Sequence, residues 1–520
     1  MSSTEAFIPL EGNIVRLSLV GTLLAFVVYL IGSYVNSPLR QYPGPFLAKF
    51  TNLWRLYHVS RGSFHLLLVD LHKKYGPVVR IGPTVLDVDY PEMIKTVFNT
   101  KGDWKKTEYY QGSSALVDGH VVYNLFSEID KAKHAAEKKP IAKYYSPNGI
   151  APLEPHVDKI VQLLCGELDK RFATGSAAGK PFDFGEWILY YTWDVIGAVT
   201  FSQPIGYLSK GYDFDGTLRS AEKALDYFSW VGCIPSLDYW FDKNPVYRIG
   251  PPGFGVVTGI SIQHLMDRYQ GNDKDYHDPV HPDFLDKFIE AKTDNSGEVN
   301  DNQIVGWLMI NMIAGADTTA ITIRSALYYS LKTPGVWSRL RAELAAAGIT
   351  KDRCPVSFKA VRHLQYLEGI LRESLRYLPG VSLSLERYVP SGGTKLPNCG
   401  FVPENTILAF NPYLICRNQD VWGPDANEFK PERWLQAKGE SDGAYAERLQ
   451  TMNNADLSFG GGSRICIGKN LALMQAYKVI ATIAILYDVE LAHPEKEWKV
   501  INSWFPRQEG FEAIIKPCLD

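Results

Sequence analysis

The hydrophobic pattern sets one end of the chain apart from the rest. Leu17 to Leu39 carries no charged residue, and Leu17 to Ile31 is almost wholly apolar. As one helix these 23 residues reach about 34 Å, enough to cross a hydrocarbon core of ~30 Å. A cleaved secretory signal has a shorter apolar core and a small-x-small cleavage site, and no clear site of that kind follows, so a retained membrane anchor is expected. Glu5, Glu11 and Arg16 precede the segment, whereas Arg40, Lys49 and Arg55 follow it with no acid before Asp70. The positive flank is C-terminal, which turns the body toward the cytosol. Tyr42-Pro43-Gly44-Pro45 cannot continue a helix and makes a stiff elbow. Residues 1–40 read as the anchor and 41–520 as the main domain.

Past the elbow the pattern first predicts strands. Val78-Val79-Arg80-Ile81 and Val85-Leu86-Asp87-Val88-Asp89 flank a Gly82-Pro83 turn. Helical periodicity then dominates, in Ile160 to Leu168 and in the stripe Leu364, Leu367, Leu371, Leu375. The expected fold class is mainly α with a small β-sheet region. Gln270 to about Gly297, rich in Asp, Asn, His and Pro, reads as a loop. His277 and His281 within it are four apart, but Pro279 spoils a shared helical face, so they read as loop residues rather than metal ligands. Asp301 to Lys332 reads as one uninterrupted helix of 32 residues, about 48 Å long, which must cross the whole molecule.

Composition narrows the function. Hydrophobic residues make up 46% of the chain, ample for a core, so general disorder is excluded. Lys and Arg total 54 against 57 for Asp and Glu, a formal charge of -3. No polycationic surface exists to neutralise phosphates, and nucleic acid is not an expected partner. The seven cysteines are scattered with no Cys-x-x-Cys pair, which excludes a zinc knuckle or a disulfide framework. No Asn-x-Ser/Thr sequon occurs, consistent with a body kept in reducing cytosol.

The sharpest motif is Phe459-Gly460-Gly461-Gly462-Ser463-Arg464-Ile465-Cys466-Ile467-Gly468, followed by a helical-looking segment. Its glycines let backbone N–H groups crowd one point, and a cysteine at a helix start gains thiolate character. A phosphate loop fails twice: the spacing from Gly462 to Gly468 is one residue too long, and Asn470 stands where Ser or Thr is required. A tight turn beside a buried cysteine is the bland alternative. The pattern Phe-x-x-Gly-x-Arg-x-Cys-x-Gly resembles the haem-binding signature of cytochrome P450 enzymes, with Phe459, Gly462, Arg464, Cys466 and Gly468 filling every place.

That resemblance carries expectations for other positions. It implies the cytochrome P450 fold, haem b as cofactor with Cys466 as axial thiolate, and Arg464 against a haem propionate. Ala314-Gly315-Ala316-Asp317-Thr318-Thr319, otherwise readable as close helix packing at small residues, is similar to the family's oxygen-binding groove. Asp317 and Thr318 would then pass protons so that O–O cleavage releases water rather than peroxide. Glu373-Ser374-Leu375-Arg376, alone no more than a solvated i, i+3 pair, resembles the family's Glu-x-x-Arg, with Arg433 of Pro431-Glu432-Arg433-Trp434 as third member. His134 to Lys138 corresponds to Trp/His-x-x-x-Arg with Lys in place of Arg, which loses the bidentate fork. Arg387 is a further propionate partner. Lys131, Lys133, Lys138, Lys139 and Lys143 form a positive face that is either ordinary soluble surface or the border of a reductase dock.

The resemblance covers nearly the whole chain, with a texture similar to fungal microsomal enzymes such as pisatin demethylase. It implies a single-pass protein of the endoplasmic reticulum membrane with a cytosolic catalytic domain. The activity would be monooxygenation of a lipophilic small molecule with electrons from NADPH-cytochrome P450 reductase, since no flavin or nicotinamide module is evident in the chain. A haem-thiolate isomerase or dehydratase needing no reductase, and a non-catalytic haem sensor or carrier, are the alternatives. Asn311 lies seven residues before Thr318, within about 20° of the same helix face. With Trp307 and Ala314 on that stripe, it either orients a polar group of the substrate or bonds a neighbouring helix.

Overall fold

A computed structural model describes residues 10–117, 119–244, 246–250, 254–295 and 297–518. The apolar N-terminal segment forms α1 (Leu10–Val35). It starts earlier than the charge-free run and stops short of Leu39, because Pro38 and the residue before it resist helical continuation. Leu39 and Tyr42 are instead buried in the body, and Arg80 N donates to Pro43 O at 2.7 Å, which pins the elbow. Residues Arg16–Val35 are long and apolar enough to cross a membrane, with that window unburied. Glu5 lies outside the described residues.

The elements that position the site are, in chain order, β1 (Val78–Gly82), β2 (Val85–Val88), α2 (Lys131–Lys138), α3 (Glu154–Leu168), α4 (Phe184–Phe201), α5 (Thr217–Val231), α6 (Phe284–Asp294), α7 (Asp301–Lys332), α8 (Gln365–Tyr377), β3 (Leu385–Tyr388), β4 (Ile407–Phe410) and α9 (Lys469–Leu486). β1 and β2 form the expected hairpin, pairing Val78 with Val88 and Arg80 with Leu86. β2 runs parallel to β4, and β4 antiparallel to β3, with Arg387 opposite Leu408. The sheet order β1-β2-β4-β3 leaves β3 at an edge, where an isolated bridge places Lys106 beside Arg387.

α7 has the bounds the pattern predicts. A reciprocal cap starts it: Gln303 N donates to the Asn300 side chain at 3.0 Å, and Asn300 N donates to Gln303 Oε1 at 2.9 Å. Thr333 ends it before Pro334. Ile304, Leu308, Met312, Ala316, Ala320, Ile323 and Leu327 are fully buried, so this helix is the axis of the core rather than a second membrane span. α4 crosses it at Gly315, where a Cβ would come within 2.6 Å of Ile196 Cδ1.

The stretch Gln270 to Gly297 is not all loop. Phe284, Leu285, Phe288 and Ala291 make an apolar stripe that α6 buries, with Asp283 and Asp286 forming its capping box. His277 and His281 lie in turns, as expected, and bond separately to Asp286 and Asp278 at 3.0 Å. Arg268 fills the space among Asp273, Asp283 and Asp286, so the acids there already face a guanidinium.

Candidate active site

The Cys466 loop is shaped by glycine. Gly462 has φ +61°, and a Cβ there would lie 2.5 Å from the Phe98 carbonyl oxygen and 2.6 Å from that of Asn99. Gly462 thus lets the loop back onto the residues that follow β2, and Cys466 N closes the turn by donating to Phe459 O at 2.8 Å. α9 begins three residues later. Burial pushes the Cys466 thiol up, while the N–H groups of Gly468 and Lys469 and the charges of Lys138 and Lys469 pull it down. Protein surrounds the sulfur, yet its exposed surface opens into an internal cavity.

That cavity brings most of the expected residues together. Phe459, Arg464, Cys466 and Gly468 lie on one side of it, Ala314, Gly315 and Thr318 of α7 on another, and His134, Lys138 and Arg387 on its flank. Gly462, within the loop, packs against Phe98 and Asn99 and does not line the cavity. Phe228, Phe254, Trp504, Phe505, Ile196 and Leu225 make the far wall apolar. Thr318 Oγ1 donates to Ala314 O at 2.7 Å, and Thr319 Oγ1 to Gly315 O at 2.8 Å, so both hydroxyls bond back to carbonyls one turn earlier where the helix faces the cavity.

The structure changes the expectations for Trp307 and Asp317 and shows a neighbour bond at Asn311. Trp307 does not reach the cavity, because the N-terminal part of α7 is covered by α6, and its ring packs on Phe288 at 5.4 Å. Asn311 does line the cavity, but Tyr145 Oη donates to its Oδ1 at 2.5 Å, and its Nδ2 is buried without a partner. The hydroxyl is the donor because the opposite orientation would leave the buried phenol proton with no acceptor. Asn311 therefore ties α7 to the segment after α2, which is the neighbour-bonding alternative. Asp317 is also turned from the cavity: Trp193 Nε1 of α4 donates to its Oδ1 at 2.9 Å. Burial pushes this carboxyl up to about 6 against the pull of that indole N–H and of Arg324 and Arg507.

The cationic flank is larger than the motifs announce. Arg464 Nη1 donates to Glu128 O at 2.7 Å, and desolvation with Arg387 nearby holds its guanidinium down to about 10. Arg387 Nη1 meets Tyr110 Oη at 3.2 Å. Burial and the neighbouring Arg464 keep His134 neutral, its pKa about 3, and burial also lowers Lys138, which reaches Ser463 O at 3.4 Å. Lys106 was not foreseen. It is buried, sits 3.9 Å from the Tyr110 ring centre and bonds Phe126 O, and desolvation with Arg387 and Arg464 drives its pKa well below normal. Nothing local separates it from its neighbour Lys105; only the bridge to β3 does.

Four basic side chains crowding one cavity wall favour an anionic occupant there, and a thiol open to the same space can ligate a metal. Haem, with two propionates and an iron, fits both. Lys106, Lys138, Arg387 and Arg464 would face the propionates and Cys466 would hold the iron.

Beneath this wall lies the ionic cluster. Arg376 grips Glu373 with Nε–Oε2 at 2.8 Å and Nη2–Oε1 at 2.6 Å, and Arg433 Nε reaches Oε1 at 3.4 Å. Trp434 Nε1 donates to Glu373 at 2.9 Å, and Asp425 pairs with Arg433 at 2.6 Å; the motifs did not announce these two. Leu375, between Glu373 and Arg376 on the same helix, lines the cavity, whereas the two charged residues do not.

Comparison with known proteins agrees with this arrangement. Residues 43–510 match the family model described as Cytochrome P450. Cytochrome P450 monooxygenase cfoH of Aspergillus candidus is 45% identical over 494 residues, spanning 95% of this chain and 91% of the relative. Cytochrome P450 monooxygenase cicH of Emericella nidulans is 34% identical over 500 residues, spanning 95% and 97%. Cytochrome P450 monooxygenase mpaDE of Penicillium brevicompactum is 32% identical over 502 residues, spanning 95% of this chain and 57% of the relative. These fungal monooxygenases replace the expected likeness to pisatin demethylase. A thiol open to a cation-flanked cavity, a long helix that lines the same cavity with Thr318 and Thr319, and a match over nearly the whole body lead to one conclusion: the chain belongs to the cytochrome P450 family and is a monooxygenase.

Proposed function

We propose that this cytochrome P450 monooxygenase inserts one atom of dioxygen into a lipophilic small molecule of fungal secondary metabolism, with electrons from NADPH through a separate reductase. The balance is substrate C–H + O2 + NADPH + H+ giving C–OH + H2O + NADP+. The observation that carries this reading is the cavity itself, apolar on the wall of Phe228, Phe254 and Trp504 and open at one side to the Cys466 sulfur. Haem, when bound, supplies the iron at which dioxygen is activated. The apolar wall excludes water and holds the substrate by area rather than by charge. In this reading Thr318, whose hydroxyl bonds a helix carbonyl at 2.7 Å and lines the cavity, takes up and passes on a proton, and Asp317, whose carboxyl is held by Trp193, is the acid beside it in the chain.

Two surfaces complete the proposal. Lys131, Lys133 and Lys139 are exposed on and just after α2 and make a dock for an acidic reductase face, whereas Lys143 is matched by Glu290 and Asp294 at 3.4 Å. The apolar helix α1 anchors the protein in the endoplasmic reticulum membrane, with residues 1–40 as anchor and 41–520 as a cytosolic catalytic domain. The test is incubation of the membrane-bound protein with reductase, NADPH and lipophilic extracts of its host under isotopically labelled dioxygen. Products carrying one labelled oxygen are expected. Product formed without NADPH would identify a reductase-free isomerase or dehydratase, and ligand-induced spectral change without product would identify a carrier.

A further inference from the structure

Asn470 stands where a phosphate loop would carry Ser or Thr, and the structure gives it other work. Four residues after Cys466 and on the first turn of α9, it donates from Nδ2 to Tyr145 O at 2.9 Å. Tyr145 ends a short turn, Ala142–Tyr145, that follows α2. At the other end of the same residue, its hydroxyl donates to Asn311 Oδ1 at 2.5 Å. The residue between those two bonds is 5% exposed, and its ring stacks on Phe284 of α6 at 4.7 Å with the planes 25° apart. The stack fixes the ring, so the place of the hydroxyl follows the place of the backbone. That backbone is held in turn. Ser146 Oγ accepts from Gly149 N at 3.1 Å, and Lys287 Nζ of α6 donates to Gly149 O at 3.2 Å. A continuous connection therefore runs from the helix that carries the sulfur loop to the middle of α7. Asn311 lies seven residues before Thr318, about 10 Å along the helix, and Tyr145, Asn311 and Thr318 all line the cavity.

We propose that Asn470, Tyr145 and Asn311 form a strut that sets the spacing between the Cys466 side of the cavity and the Thr318 side, with Tyr145 as its positioning residue. The proposal rests on the reading of this cavity as the seat of haem, with dioxygen activated on the side of α7. The two sides come from distant parts of the chain, and the reacting groups have to be held at one separation, since a displacement of about 1 Å costs on the order of a hundredfold in rate. The strut meets α9 in the turn whose Gly468 and Lys469 N–H groups face the sulfur, and it meets α7 two turns from Thr318. Tyr145 acts through Asn470 and Asn311, so its loss alters the spacing while Cys466 and Thr318 stay in the chain unchanged.

The test uses the haem-loaded, membrane-bound enzyme with its reductase, comparing Tyr145→Phe, Asn470→Ala and the double variant. Tyr145→Phe keeps the stacked ring and removes only the hydroxyl, whereas Asn470→Ala cuts the opposite end. Both should keep the red-shifted Soret band of the reduced carbon monoxide complex. Both should also shift and broaden the infrared C–O stretch of that complex, because α7 sits differently over the bound gas, and lower product per NADPH by about threefold to tenfold. One strut fails when either end is cut, so the double variant should be no worse than the worse single variant in either readout. A native C–O band and native coupling in both single variants, at whatever stability, make these bonds ordinary fastening and overturn the proposal. Effects that multiply in the double variant mean two independent bonds and overturn it as well. If the native protein lacks the red-shifted Soret band, the reading of the cavity falls and the strut falls with it; a native band with unaltered variants leaves that reading standing and sinks the strut alone.

Discussion

Thr318 and Asn311 share a stripe of α7, but the chain around them assigns them different work. The Thr318 hydroxyl bonds only its own helix and faces open cavity. Thr318→Ala should therefore keep haem and substrate binding while diverting electrons to peroxide, cutting product per NADPH by about tenfold or more. Equal coupling in variant and native enzyme would remove Thr318 from the reaction. Asn311 is bound to Tyr145, so Asn311→Leu should cost about 1–3 kcal/mol in denaturant unfolding by orphaning a buried phenol, with regiochemistry unchanged. Altered regiochemistry at native stability would restore the substrate-facing role. Cys466 was legible in sequence because its signature is contiguous and steric: only glycine fits at 462. Trp193, Tyr145 and Lys106 were not, because each meets its partner across the fold, in segments that no local pattern connects.

At the scale of elements, the uninterrupted pattern located α7 at about its observed bounds, and in the structure the Asn300 cap and Pro334 fix its two ends. It missed α6, whose four buried apolar positions are diluted by acids and lysines in a stretch that composition marks as loop. The ionic cluster under α8 shows the same division. Two of its members stand three apart on one helix, but Glu373 is fully buried and also holds Trp434 and the Lys430 amide at 2.9 Å, which spacing alone does not convey. Glu373→Gln leaves two buried guanidinium groups without their shared counter-charge, an imbalance of about 3–5 kcal/mol. The expected outcome is little or no haem-loaded protein, measured as the haem-to-protein absorbance ratio after purification. A variant with native haem content and slower turnover would place the cluster in catalysis instead.

Across the whole molecule, the arrangement separates three needs. α1 carries the apolar surface suited to a membrane, α7 runs through the core, and the Cys466 loop closes the cavity from the side where α2 presents its lysines. Hydrophobic periodicity correctly indicated a mainly helical body with small sheets. The cavity wall could not be read in advance, since Phe228, Phe254, Trp504 and Arg387 come from separate elements that only the complete fold brings to one space. The central claim is that Cys466 holds the iron of a haem in that space. It is tested most directly by the carbon monoxide complex of the reduced protein, recorded for native enzyme and for Cys466→Ala. The native protein should show the red-shifted Soret band of thiolate-ligated haem, and the variant should lose it; a variant that kept the band, or a native protein that lacked it, would contradict the assignment.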